Sequence, residues 1–302
     1  MFNKLVAIED TLLNRAAIDK LSSYAKEVNL YYEQPESDEE VIRRIGDADA
    51  VLVSFKTPIR KTVLDACPNI RYIGMCCTLY SPDCCNVDVR TAWEKGITVT
   101  GVKDYGDEGV VEYAISELVR FLHGFGERQW KPEKLELTRQ RIGVIGLGKT
   151  GRMLADAFRF LGAEVSYYSR SRKPEAEEAG IAYYPLHHLL QHADILLTCL
   201  PRNTYLLGEE EFRLMGNGKI LMNTSIGATF DVAALQAWLQ QNTDSFYFCD
   251  GTGMGTLAET LTPHPNVVYT PVVAGKSVQS IERLSQKALA NIEQFLGQTA
   301  SR

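Results

Sequence analysis

Three groups of residues in this chain combine types and spacings suited to chemistry. The first is Gly146-Leu147-Gly148-Lys149-Thr150-Gly151, between the apolar run Arg141–Ile145 and a helical pattern over 152–161. Gly146 permits a tight turn, Gly148 lets the backbone approach a pyrophosphate, and Gly151 lets the helix pack closely on the strand. The helix then offers its first amides and the positive end of its dipole to phosphates. Alone, the glycine pattern is weak. Its position after a strand, at the start of a helix and before a second strand makes it specific for a dinucleotide; the bland alternative is a turn kept only for structure.

The second group ends that next strand: Tyr167-Tyr168-Ser169-Arg170-Ser171-Arg172-Lys173. A site for NAD places a carboxylate there to accept from the ribose hydroxyls. No acid stands in this stretch, and two serine hydroxyls with three cations suit a 2′-phosphate, arginine above all through its planar fork. The expectation is NADP, with NAD as the alternative, bound by Ser169, Arg170, Ser171 and Arg172. A solvated basic loop is the bland reading, but it leaves the missing acid unexplained. The third group is Cys76-Cys77, six residues, then Cys84-Cys85. Adjacent pairs depart from the two-residue spacing of zinc sites, so no metal is expected and the thiols read as small, mostly buried side chains.

These residues must be positioned by alternating strands and helices. Strands are expected at 5–8, 28–32, 50–53, 72–75 and 97–100, with helical patterns near 12–26, 38–46, 59–66 and 86–95 between them. A helix over 107–124 and a polar connector over 126–140 follow. A second series then has strands at 141–145, 164–168, 195–199, 219–222, 245–249 and 267–270, and a closing helix at 277–296. Strict alternation indicates an α/β protein with parallel sheets covered by helices on both faces. The division expected is residues 1–103 plus 275–302 as one domain and 104–274 as the dinucleotide-binding domain.

Composition agrees with a globular protein: 302 residues, 45% hydrophobic and 23% charged, room for two ordinary cores. A net charge of −6 gives no electrostatic reason to expect nucleic acid or an anionic membrane as partner. No apolar run approaches the roughly 20 residues of a membrane helix. The apolar start, residues 5–8, is too short for a signal peptide, so a cytoplasmic protein with seven mostly free cysteines is expected.

Across nearly its whole length the chain resembles the D-isomer-specific 2-hydroxyacid dehydrogenase family. The resemblance is carried by Asn86-Val87-Asp88, by Val110-Val111-Glu112, by Ala193-Asp194-Ile195 through Cys199-Leu200-Pro201 with Thr204, by Asn223-Thr224-Ser225 with Gly227 and Asp231, by Asp250, and by Pro265-Asn266-Val267 with Thr270-Pro271. The Ser-Arg-Ser-Arg turn is similar to that of the family's NADPH-using hydroxypyruvate and glyoxylate reductases. The resemblance implies a Rossmann domain and a flavodoxin-like substrate domain, a small-molecule substrate and a homodimer formed through the nucleotide domain. It adds Cys199, Leu200, Pro201, Thr204, Thr224, Ser225, Ile226 and Asp250 to the cofactor-binding residues.

The family's hydride transfer relies on an Arg that clamps the substrate carboxylate, a His that exchanges the proton and a Glu that orients the His. In this chain the three matching positions are Ile226, Gly255 and Val272. Thr262-Pro263-His264 spells the family's tripeptide eight residues early, where it would precede the last strand rather than end it. Glu259 and Lys276 lie near lost positions and are candidates for recruitment, while His123, His187, His188 and His192 read as structural. The family's glycine-containing substrate loop is replaced by the longer stretch Cys76–Cys85, which has no glycine and offers Thr78, Tyr80 and Ser81 as hydroxyls. The expectation is therefore an NADP-dependent oxidoreductase with an altered substrate and acid/base. A catalytically silent NADP(H)-binding sensor or structural protein is the second reading, and a thiol or metal function at the paired cysteines the third.

Overall fold

The computed structural model describes residues 1–300, with side chains through residue 298. It divides into two compact units: residues 1–105 with the chain from Ser277 onward, and residues 106–276.

The first unit contains β1 (Phe2–Ala7), α1 (Arg15–Lys20), β2 (Ala25–Leu30), α2 (Asp38–Ile45) and β3 (Ala50–Val53). It continues with α3 (Lys61–Ala66), β4 (Tyr72–Met75), α4 (Val89–Glu94) and β5 (Thr98–Gly101). The sheet is parallel, in the order β2-β1-β3-β4-β5. β3 and β4 are buried at every position, as strands covered on both faces must be. A last helix from the chain end, Val278–Ala300, lays Leu284, Ala288, Ile292 and Phe295 into the core of this unit, with the Phe295 ring 4.9 Å from Tyr72 and 5.6 Å from Phe2.

Polar side chains fix the loops at the carboxyl ends of these strands. The buried Glu9 carboxylate accepts from Ser54 N (2.9 Å), Thr57 N (3.3 Å) and Thr57 Oγ1 (2.7 Å). Asn86 Nδ2 donates to the carbonyls of Ser54 (2.8 Å) and Thr57 (2.5 Å), and Asp88 caps α4 through Thr91 N (3.1 Å). The Asn-x-Asp element thus ties a loop and starts a helix.

The second unit opens with α5 (Asp107–His123), which ends at Gly124 in the left-handed region with φ +66°. Then come β6 (Arg141–Ile145), α6 (Lys149–Phe160), β7 (Glu164–Tyr168), α7 (Pro174–Glu178), β8 (Ala182–Tyr183) and α8 (Leu186–His192). The chain continues through β9 (Ile195–Thr198), α9 (Glu209–Met215), β10 (Ile220–Asn223), α10 (Val232–Gln241) and β11 (Phe246–Asp250). It closes with α11 (Gly251–Met254), α12 (Ala258–Leu261) and β12 (Val267–Thr270). The seven-stranded parallel sheet has the order β12-β11-β10-β9-β6-β7-β8, so the strand order reverses beside β6. Its register aligns Ile145, Thr198, Asn223 and Cys249 in one row across the carboxyl end. In such sheets ligands bind outside the carboxyl ends, at the switch point. Both sheets are parallel α/β, the Rossmann plus flavodoxin-like arrangement.

Several element bounds differ from the sequence expectation. β2 lies at 25–30 rather than 28–32, because its pairing with β1 starts at Phe2–Ala25 and stops at Ala7–Leu30. The helix expected over 12–26 is confined to α1, since Ser22 and Ser23 turn their hydroxyls back onto the carbonyls of Asp19 (2.9 Å) and Lys20 (2.7 Å) and a tighter turn follows. α6 begins at Lys149, inside the glycine motif. The connector over 126–140 is anchored to its own unit: Trp130 is buried with Nε1 3.2 Å from Asp244 O, and Arg128 Nη1 donates to Pro265 O and Val267 O.

Lys219 shows how the second unit terminates a helix without glycine. Its buried amine donates to the last carbonyls around α8, Leu190 O (2.6 Å), Gln191 O (2.8 Å) and Ala193 O (2.7 Å). Burial pushes the amine down to about 8, and the C-terminal helix dipole offsets part of that cost. Lys219→Met keeps the stem but leaves three carbonyls without a donor. The expected loss is about 3 kcal/mol in denaturant unfolding, and a change below about 1 kcal/mol would refute this role.

Candidate cofactor and catalytic site

The glycine turn meets its steric demands residue by residue. Gly146 has φ +99°, donates its N–H to Tyr168 O (2.8 Å), and would place a Cβ 2.4 Å from Cys199 O. A Cβ on Gly151 would lie 2.0 Å from Gly146 O. A Cβ on Gly148 would meet nothing within 4 Å. The first and third glycines are therefore required by the fold, whereas the second borders open space at the start of α6, whose N-terminus no side chain caps. Those open amides and that open face fit a pyrophosphate.

At the end of β7, Ser169 Oγ donates to Ser171 O (2.7 Å). The two arginines are not equivalent. Arg172 forks onto Glu177, with Nε 3.1 Å from Oε1 and Nη2 in contact with Oε2, and lies over the Tyr183 ring at 5.2 Å. Tyr167 OH donates to the same carboxylate (3.1 Å) and accepts Lys173 N (2.6 Å). Arg172 holds the Glu177 carboxyl below its ordinary range. Arg170 is exposed and makes no ion pair among the described residues. The sequence reading of a loop with no carboxylate is corrected here: α7 returns Glu177 to it and neutralises Arg172, leaving Arg170 as the available fork.

The ends of β9 and β10 are knitted together. Thr224 Oγ1 (2.8 Å) and Ser225 Oγ (3.0 Å) both donate to Thr198 O, and Leu200 N donates to Ser225 Oγ (2.8 Å). Asn223 Oδ1 accepts from Thr198 Oγ1 (2.9 Å) and Ser225 N (3.0 Å), while its Nδ2 donates to Gly227 O (2.8 Å). The Thr224 and Ser225 hydroxyl protons are thus committed to the protein; Thr224 is half-buried, whereas Ser225 is buried and its oxygen already accepts Leu200 N. Burial pushes the Cys199 thiol up to about 12, which removes it as a nucleophile. Pro201 and Thr204 follow in the loop after β9. Asp250 is buried and accepts Gly253 N (2.7 Å) on one oxygen and Ala274 N (2.8 Å) on the other, fixing the chain beyond β12 to the end of β11.

The three positions matched in sequence to the family's Arg, Glu and His lie beyond the carboxyl ends of neighbouring strands. Ile226 follows β10 and is half-buried; Gly255, with φ +54°, follows β11; Val272 follows β12 and is 57% exposed. The backbone brings them into one region: Gly227 N donates to Thr252 O (3.0 Å), Gly251 N donates to Val272 O (2.7 Å), and a Cβ on Gly255 would lie 4.0 Å from Gly227 Cα.

The other acid/base candidates lie elsewhere or stand apart. His264 precedes β12, at the opposite end from Thr270, with Nε2 3.4 Å from Gln236 Nε2. His188 and His192 pack on Tyr184, His123 stacks on Phe125, and His187 pairs with Glu211 at 3.4 Å. Glu259 on α12 and Lys276 are exposed.

In the first unit Cys76 and Cys77 are buried while Cys84 and Cys85 are half-buried, all as free thiols. Cys84 Sγ receives Ser81 Oγ (3.2 Å) and Cys85 Sγ donates to Val87 O (3.2 Å). Burial pushes the Cys76 thiol up. Among the described residues, three metal-type donors come together at His187, Glu210 and Glu211, not at the paired cysteines.

A parallel α/β unit with this turn at its strand-order reversal defines a dinucleotide-binding domain. Residues 114–274, more than half of the chain, match the family described as "D-isomer specific 2-hydroxyacid dehydrogenase, NAD binding domain". The chain belongs to that family. It is 29% identical to a hydroxypyruvate reductase of Blautia hydrogenotrophica, over 97% of each chain. It is 27% identical to a glyoxylate reductase of Thermococcus kodakarensis, over 89% of this chain and 86% of the relative. A solved acyclic imino acid reductase in complex with NADPH and D-Arg shares the fold, with a TM-score of 0.84, 24% identity, and coverage of 98% of this chain and 97% of that one.

Proposed function

We propose that this protein is an NADP(H)-binding oxidoreductase of the D-2-hydroxyacid dehydrogenase type whose site no longer serves ordinary 2-hydroxy acids. The observation that carries the cofactor reading is the open face at Gly148 together with Arg170, which makes no ion pair among the described residues. When bound, the nicotinamide supplies the hydride chemistry. The amides at the start of α6 would hold the pyrophosphate, and Arg170 with the Ser169–Ser171 turn the 2′-phosphate. The half-buried Thr224 and the Asp250 loop would border the nicotinamide end, with Ser225 fixing the strand ends behind them.

The two arginines give the test of cofactor choice. Wild-type protein is expected to bind NADPH more tightly than NADH in a fluorescence titration. Arg170→Glu is expected to weaken NADPH by roughly 10- to 100-fold with little change for NADH, the scale of a charge-assisted pair. Arg172→Glu should cost less, and Glu177→Gln should tighten NADPH by freeing Arg172. Equal affinities of the wild type for the two cofactors would sink the proposal.

Three absent groups narrow the substrate. With Ile226, Gly255 and Val272 in place, the site supplies neither a bidentate carboxylate clamp nor a proton donor. A carbon–nitrogen double bond that is already protonated needs only hydride, so iminium compounds belong in the substrate screen beside carbonyls. A solved imino acid reductase of like fold makes such compounds a natural part of that screen. The second reading, a silent NADP(H)-binding protein, is favoured by the apolar Ile226 and Val272; binding without turnover across that screen would select it. A homodimer in the cytoplasm is proposed on the family resemblance.

A further inference from the structure

The amino end of α5 sets a carboxylate on the anion-receiving end of α6. Asp107 is the first residue of α5, is 7% exposed, and accepts the hydroxyl of Thr150, the second residue of α6. It is held there by backbone packing: a Cβ on Gly106 would lie 2.7 Å from Gly275 O, and one on Gly109 would lie 2.3 Å from Ala274 O. The loop they press against is itself fixed by Asp250 through Ala274 N. No cation pairs with Asp107 among the described residues. Its charge reaches as far as the end of β9, where it helps push up the Cys199 thiol. The positive ends of both α5 and α6 stabilise this carboxylate, so it occupies part of the field that a pyrophosphate would use.

We propose that Asp107 is an affinity-limiting residue of the dinucleotide site. Its charge opposes the pyrophosphate and weakens every dinucleotide alike, whether or not a 2′-phosphate is present. The inference rests on the cofactor reading above, but its signature differs: Arg170 acts on NADPH alone, whereas Asp107 acts equally on NADPH and NADH. A like charge roughly 10 Å away, at an effective dielectric of about 20, changes binding by about tenfold.

Asp107→Asn keeps an oxygen for the Thr150 hydroxyl and removes only the charge. Titrations of the purified full-length protein with NADPH and with NADH are expected to show both dissociation constants falling by about tenfold, by the same factor. Asp107→Ser, smaller and neutral, must tighten both as well, which guards against a folding defect in one variant. Unchanged or weaker binding in variants that melt like the wild type overturns the inference and leaves the cofactor reading standing. Absence of binding by the wild type and both variants overturns the two together.

Discussion

Supplied with glyoxylate or hydroxypyruvate and saturating NADPH, or with D-lactate and NADP+, this protein is expected to turn over at least about 10⁴-fold more slowly than a working reductase of its family. Removing one positioned acid or base costs roughly 10² to 10⁴ in rate. By the family resemblance, the acid/base position falls on Val272, its orienting partner on Gly255 and the carboxylate clamp on Ile226. Groups that act as a unit are not additive, so the three losses are not multiplied; the loss of the unit sets the figure. None of the five histidines stands at the carboxyl ends of β10–β12, and His264 lies at the far end of β12. The measurement is the absorbance of the reduced nicotinamide at saturating cofactor. Turnover near that of a working reductase would refute the account of the three positions.

The backbone at those positions makes a further point about reversibility. Neither Ile226 nor Val272 has a positive φ, so the backbone at both positions admits other side chains. Gly255 has φ +54° and so resists a side chain. A Glu at 255 would be strained, and a double substitution, Ile226→Arg with Val272→His, should restore only part of the lost rate.

Much of this was legible in the sequence because the signals are local. β3, β4, β6, β7 and β12 fall where apolar runs bounded by turn residues place them, and for β3 and β4, buried on both faces, few other solutions exist. β8, two residues long, carries no periodic signal, and β2 is set by its register with β1 rather than by its own hydrophobic run. The glycine turn was readable for the same reason: Gly146 and Gly151 answer local steric needs of the turn and of the strand–helix contact. What the sequence could not reveal were partners chosen by tertiary structure. Asp107 and Thr150 are 43 positions apart, and Asn223 and Thr198 are 25 apart. Glu177 is only five residues from Arg172, yet a helix start at Pro174 is needed to aim it back.

Alanine at the second and third glycines of the turn is expected to separate ligand binding from folding. Gly148 has φ −79°, a region open to any residue, and its added methyl would touch nothing within 4 Å. Gly148→Ala should therefore melt within about 4 °C of the wild type, since alanine caps a helix less well than glycine by only about 1 kcal/mol. Its methyl would nonetheless stand in the space that a pyrophosphate needs to reach the α6 amides, so NADPH and NADH should both weaken by more than about tenfold. Gly151 is the opposite case. Its added methyl would lie 2.0 Å from Gly146 O and 3.2 Å from Val144 Cγ1, so α6 must lift off β6 to accept it. Overpacking against backbone of this kind should destabilise by about 3 kcal/mol or more in denaturant unfolding. If Gly148→Ala bound both cofactors as tightly as the wild type, the open face at Gly148 would not be the pyrophosphate cradle. If Gly151→Ala unfolded like the wild type, the glycine would be serving the ligand rather than the strand–helix contact.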